Sequence, residues 1–351
     1  MKRRRFIYPY SYFRILMIFN VVVFHWRLFL PEGFHITPGI DGFGAYSVAF
    51  FFLLTGFLMM KNASGKDDKD FSYKEEVKQV LRRRSSYLIK YEIAILLSVV
   101  YYLLIHILTG QHSLSEIIIS GITDILFVST LINPESLTMN ACWFFQCLVQ
   151  FWVLSPLIIK GWKTLKDKLI ANPAVYTAVL VLFQISYFVN LRLISSITDP
   201  YLNSLVRIYE IMVGMSIYEL VTLTNIDNKT VVSGLELVGL GLLVYPMYRL
   251  PVLDNLLSYH GVCILLCMII IFAYAYGTGF FSTYLLRKND IIEHVSAHVF
   301  DIFIFHFTVF HYASLSPRLS SPYLLLLEGL VLSYLAGILI DRVIAQNRVR
   351  K

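Results

Sequence analysis

An arginine and a histidine spaced eleven residues apart in one apolar run are the residues whose types and positions most directly suggest chemistry. Arg14 and His25 lie within residues 12–30, YFRILMIFNVVVFHWRLFL. At 100° per residue, eleven residues make three turns plus about 20°, so both side chains leave one face of a helix, roughly 16 Å apart along its axis. A neutral imidazole can take a proton as a general base or act as a nucleophile. A planar guanidinium suits phosphate and carboxylate oxygens. An ionisable side chain inside an apolar span is costly and by default marks a functional site. Two structural alternatives stand beside this reading: Arg14 can snorkel to lipid phosphates, and His25 can be a neutral core residue bonded to a neighbouring helix.

The elements that must position this pair follow from composition. With 57% hydrophobic and 15% charged residues, the 351-residue chain is far more apolar than a soluble domain. The expected fold class is therefore all-α, a polytopic membrane helical bundle. The net charge of +7 does not point to nucleic acid, because the basic residues fall between hydrophobic runs and form no aromatic-interleaved patch. The first apolar run lacks a small-residue cleavage site and reads as an anchor, with no cleavable leader expected. Cys142, Cys147, Cys263 and Cys267 all sit in apolar runs without a CxxC pair, which supports neither a disulfide framework nor a zinc site. No internal repeat is visible, and the expected organisation is a single membrane domain over residues 1–351 with no appended soluble domain.

Spans are expected at about 12–30, 44–60, 87–108, 142–159, 173–190, 203–221, 231–248, 258–277, 297–314 and 322–341, about ten in all, with both termini cytoplasmic. This topology places 23 of the 30 basic residues inside, as the positive-inside rule requires. Residues 117–132, IIISGITDILFVSTLI, are apolar enough to suggest another crossing. A crossing there would move Lys160, Lys163, Lys166, Lys168 and the basic C-terminal tail outside, so the segment is read as an outer interfacial or re-entrant helix.

Several blocks along the chain bear a family resemblance. Arg14 and His25 form an R-x10-H pair, and Phe51-Phe52-Leu53-Leu54-Thr55-Gly56-Phe57 looks like an FF-x-[LI]-[ST]-G-[FY] block. Arg82-Arg83-Arg84 precedes the third span, Trp143 to Pro156 has the spacing of a tryptophan-to-proline stretch, and Phe303-Ile304-Phe305-His306-Phe307 looks like a late Y-L-x-H-F block. Together these make the sequence similar to the acyltransferase 3 family, integral membrane proteins that O-acylate sugars and envelope polysaccharides. The departures are Tyr87, which stands where the family often completes an R-x-x-R pair, and Leu148 and Val149, which replace the acidic pair of its peptidoglycan-type branch. That branch commonly carries a C-terminal hydrolase-like domain, and none is expected here.

The resemblance implies a plasma-membrane O-acetyltransferase. The donor it implies is cytoplasmic acetyl-CoA, as a co-substrate and not a permanently bound cofactor, and the acceptor is a glycan or lipid-linked glycan. His25 is the expected catalytic residue, with Arg14, Arg82, Arg83 and Arg84 toward the donor phosphates. For the three consecutive arginines a plain topology signal is the alternative. His306, Trp143 and Asp41 are second-rank candidates for substrate contact or support. Asp301 and His306, five residues and about 140° apart on a helix, do not share a face, so a dyad between them is not expected. Thr55-Gly56 reads as a small-residue helix contact and not as a catalytic hydroxyl. On the outer side His35, His112, Glu116, Asp124 and Glu135 are available to an acceptor. A transporter or flippase for a lipid-linked glycan is the alternative from another class, and a non-catalytic assembly subunit is a third.

Overall fold

In hydrocarbon every backbone N–H and C=O must be satisfied within the chain, so apolar runs of these lengths are committed to helix. The computed structural model describes residues 7–30, 34, 43–64, 71–132, 136–138, 140–195, 202–244, 256–315 and 321–349. Among them are fourteen α-helices and no strand. They are α1 (Pro9–Trp26), α2 (Phe43–Ala63), α3 (Tyr73–Arg83), α4 (Ser85–Thr109), α5 (Leu114–Ile125), α6 (Ser129–Ile132), α7 (Trp143–Leu169), α8 (Pro173–Ser195), α9 (Ser204–Thr224), α10 (Lys229–Val244), α11 (Leu256–Tyr274), α12 (Asp290–Ala297), α13 (Val299–Ser314) and α14 (Pro322–Val349). The described part of each of the ten expected span ranges lies mainly on one of these helices.

Local chemistry sets several of the ends. Pro9 opens α1, where its missing N–H costs nothing. Ser113 and Glu116 form a reciprocal capping box at the start of α5. Asn203 and Asn289 accept from the first free N–H groups of α9 and α12.

Among the described residues six helical segments are long and apolar enough to cross a bilayer: Pro9–Phe29, Gly44–Ala63, Ser85–Thr109, Trp143–Leu169, Pro173–Ile194 and Pro322–Gln346. His260–Tyr274 and Val299–Ser314 are shorter apolar helices. The chain is a multi-pass membrane protein. The segment read as non-crossing breaks into α5 and α6 around Phe127, whose φ is 58°. The 12 residues of α5 span roughly 18 Å, well short of a hydrocarbon core of about 30 Å.

Helix α2 lies at the centre, with 72% of its apolar window buried, against 17% for α4 and 22% for α8 and α14. The outer helices therefore turn Leu, Ile and Val outward, and α2 packs on α1, α9 and α11. Its contact with α9 brings backbone against backbone. A Cβ on Gly56 would sit 1.7 Å from the Ile211 carbonyl oxygen, and one on Gly214 would sit 1.9 Å from that of Leu53. No side chain fits there, which is the small-residue contact expected of Thr55-Gly56.

Candidate active site

The face of α1 that carries Arg14 and His25 does not turn to lipid. It meets α12 and α13, and α13 packs on α4 from its other side, so α1, α13 and α4 form one seam.

Near the start of α1, Arg14 donates through Nη1 to the Ser296 hydroxyl of α12 at 3.3 Å. Tyr87 of α4 is close enough to interact with it electrostatically, and packs its own ring on Phe300 of α13. Among the described residues no carboxylate forms an ion pair with Arg14, whose partner there is a neutral hydroxyl. A half-buried guanidinium held this way retains donors for an anion.

Three turns along the same face, His25 Nδ1 lies 2.8 Å from Nε2 of His306 on α13. The rings are stacked at 5.0 Å and 27°. The proton positions follow from the next atom in the chain. His306 Nδ1 is 2.9 Å from the carbonyl oxygen of Ile302, and a carbonyl only accepts, so Nδ1 of His306 carries the proton. In a neutral His306, Nε2 is then bare and accepts from His25 Nδ1–H. His25 Nε2 is left with its lone pair and makes no hydrogen bond among the described residues. The second imidazole thus fixes the tautomer in which the first can take a proton. His306, a second-rank support by sequence, is the direct partner of His25.

Asp301 faces the other way, as its 140° offset from His306 requires. Its Oδ1 accepts from Lys90 Nζ of α4 at 2.7 Å, and its Oδ2 lies 2.8 Å from His298 Nδ1. Lys90 also donates to Asp341 of α14 at 2.7 Å, and Asp341 accepts from the Ser86 hydroxyl. Lys90 and Asp301 are both 1% exposed, so the ammonium is shared by carboxylates on two helices within the bundle. Gly337 makes room for the arrangement, because a Cβ there would lie 2.3 Å from that of Asp301. His298, Asp301 and Asp341 bring three possible metal-ligand atoms within 4.8 Å of one another, but Lys90 already supplies the counter-charge to both carboxylates.

The other sequence candidates distribute unevenly. Arg82 and Arg83 are exposed at the end of α3. Arg84, between α3 and α4, donates to the Val80 carbonyl and lies over the Trp152 ring at 4.8 Å. Trp143, at the start of α7, is buried against Phe52 and Phe144 and faces Arg207 at 5.3 Å, which places it on the α2–α9 side of the bundle. Asp41, His35 and Glu135 lie outside the described residues. Asp124, read as available to an acceptor, is instead fully buried and accepts from Ser136, Thr138 and Gln146. It anchors α5 and the following loop to α7. The four cysteines are free and buried.

One buried network was not singled out from sequence. Arg207 of α9 donates to both oxygens of Glu210, which also meets His260 Nε2 at 2.8 Å and accepts from the Tyr187 hydroxyl at 2.9 Å. Its signal was an arginine and a glutamate at i, i+3 inside the apolar stretch SLVRIYEIMVG. Lys90, in the apolar run that follows Arg84, carried the same kind of signal.

A bundle of apolar helices with imidazoles and ion pairs held in its interior defines a polytopic membrane protein built around an intramembrane polar site. The acyltransferase 3 family model, described as an acyltransferase domain, matches residues 9–342, and the chain belongs to that family. Its class is membrane acyltransferase. No curated protein and no solved structure matches the chain.

Proposed function

We propose that the protein is an O-acetyltransferase of the plasma membrane, moving an acetyl group from cytoplasmic acetyl-CoA to a hydroxyl of an envelope or extracellular polysaccharide or its precursor. The observation that carries this reading is the His25–His306 pair, which leaves an imidazole nitrogen with a free lone pair on the face shared with Arg14. In the reaction, the acceptor hydroxyl gives its proton to His25 Nε2 as its oxygen attacks the thioester carbonyl carbon. The C–S bond then breaks, the CoA sulfur leaves with the bonding pair, and the proton on Nε2 passes to it. As His25 becomes cationic, its Nδ1–H bond to His306 turns into a charge-assisted one and stabilises that charge. A positioned base of this kind contributes typically 10²- to 10⁴-fold.

Arg14 is assigned to the donor. Its guanidinium is bound to a hydroxyl and available to phosphate, and the roughly 16 Å rise from Arg14 to His25 is comparable to the reach of a pantetheine arm. Exposed Arg82 and Arg83 then serve the encounter with the polyanionic nucleotide end from the cytoplasm. Ten spans with both termini cytoplasmic put those arginines on the donor side, and the distribution of basic residues supports that topology.

The deciding experiment follows CoA release from acetyl-CoA by purified protein in nanodiscs supplied with maltotetraose, mannotetraose or a tetramer of N-acetylglucosamine as acceptor, with His25→Ala as the comparison. Release that falls at least a hundredfold in His25→Ala sustains the reading. Full activity of that variant rejects His25 as base, and a wild-type protein that never turns over acetyl-CoA rejects the donor.

A further inference from the structure

Beyond the histidine pair, toward the C-terminal ends of α1 and α13, the same seam continues as aromatic rings gathered around one more histidine. His311 of α13 is 7% exposed, and its Nδ1 is buried with no hydrogen-bond partner among the described residues. No hydrogen bond of its other ring nitrogen is found there either. A buried polar atom left unpaired costs about 1–3 kcal/mol, and the great majority of such atoms are paired. Four neighbours of His311 meet it through their rings. Tyr101 of α4 stacks on it at 4.4 Å and 7°, Tyr102 meets it edge-on at 5.6 Å, Phe307 packs at 4.8 Å, and Phe29 at 5.3 Å.

Those four rings are half-exposed, not sealed in the core, and they connect directly to the reacting imidazole. Phe307 lies 5.3 Å from His25 and 5.3 Å from Phe29. Phe29 follows His25 by four residues and His311 follows Phe307 by four, so each wall steps along its own helix face by one turn. His311 sits about 7.5 Å beyond His306 along α13, a little more than one pyranose ring. Apolar walls with a single convergent polar group form the usual lining of a small-molecule site. A pyranose has the complementary surface: C–H faces that pack on aromatic rings, and hydroxyls that need a partner.

We propose that this strip is the acceptor subsite, in which a pyranose ring packs on Phe29, Phe307 and the two tyrosines while the His311 imidazole hydrogen-bonds one of its hydroxyls. That contact holds a neighbouring hydroxyl of the same sugar at His25. His311 is then a positioning and specificity residue, not a proton-transfer group. The presence of an acceptor rests on the acyltransferase reading, so the experiment has one arm that needs no donor.

In the first arm, full-length protein in nanodiscs is treated with diethyl pyrocarbonate, and carbethoxylation of His311 is followed by mass spectrometry with maltotetraose, mannotetraose or a tetramer of N-acetylglucosamine. At least one saccharide is expected to slow modification of His311 severalfold, whereas acetyl-CoA alone does not. In the second arm the protecting saccharide is the acceptor in the CoA-release assay. His311→Phe raises its half-saturating concentration about tenfold, the worth of one hydrogen bond, and leaves half-saturation by acetyl-CoA unchanged. His311→Asn restores part of the loss. The proposal is overturned if no saccharide protects His311, or if His311→Phe leaves half-saturation by the saccharide unchanged or raises that by acetyl-CoA equally. Protection by a saccharide with no acetyl-CoA turnover in the wild type rejects the acetyl-transfer reading and sustains the saccharide strip.

Discussion

Replacing His306 by phenylalanine keeps a ring of similar size between α1 and α13 and removes the acceptor for His25 Nδ1–H. The bond is 2.8 Å long and is neutral before proton transfer. A neutral hydrogen bond contributes about 0.5–1.5 kcal/mol and one to a charged group about 1.5–3 kcal/mol. The second value applies once His25 holds the acceptor's proton. Only the gain on charging, about 1–1.5 kcal/mol, is lost from the transition state, so the expected loss in kcat is roughly 5- to 15-fold, smaller than the loss from His25→Ala, because a base remains but its tautomer and orientation are no longer held. Half-saturation by acetyl-CoA should stay unchanged, since neither imidazole is assigned to the nucleotide end. The assay is CoA release at saturating donor, run for His306→Phe, His25→Ala and the double variant. Residues acting as one unit are non-additive, so the double variant should be no slower than His25→Ala alone. Full activity of His306→Phe, or losses that multiply in the double variant, would refute the coupling.

Two further outcomes test the surrounding charges. Arg14→Ala should raise half-saturation by acetyl-CoA about tenfold or more with kcat nearly preserved, and Arg14→Lys should recover only part of that because a point charge lacks the planar fork. A fall in kcat alone would remove Arg14 from donor binding. Lys90→Met leaves Asp301 buried without its ammonium and should lower unfolding stability by about 3–5 kcal/mol, measured by thermal unfolding in detergent. Asp301→Asn in the same chain should restore much of it, and the absence of such rescue would show that Lys90 acts through something other than the pair.

How much of this was legible along the chain depends on the range of the interaction. Arg14 and His25 share a face because helix periodicity requires it, and the offset between Asp301 and His306 correctly separated their partners. The tight contact at Gly56 was readable for the same local reason, although its counterpart Gly214 was not. His25 and His306 are 281 residues apart, and no periodicity states which helix faces which. Asp124 misled because a carboxylate in a segment read as an outer interfacial helix is expected to be solvated. Here Ser136, Thr138 and Gln146 supply enough donors to keep it inside, and those partners become neighbours only after folding. Trp143 matched a motif by spacing, yet its side chain packs toward Arg207 and not along the α1 face.

The ammonium of Lys90 is gripped from two sides, by carboxylates rooted in α13 and in α14. Drawing either helix away would strand an ion in a medium that cannot hydrate it, so α13 is pinned against sliding or rolling. The helix bearing one of the paired imidazoles then behaves as a fixed anvil. In the proposed reaction thioester and alcohol would each travel to it, and any opening and closing during a turnover cycle would fall to the walls on either side of it.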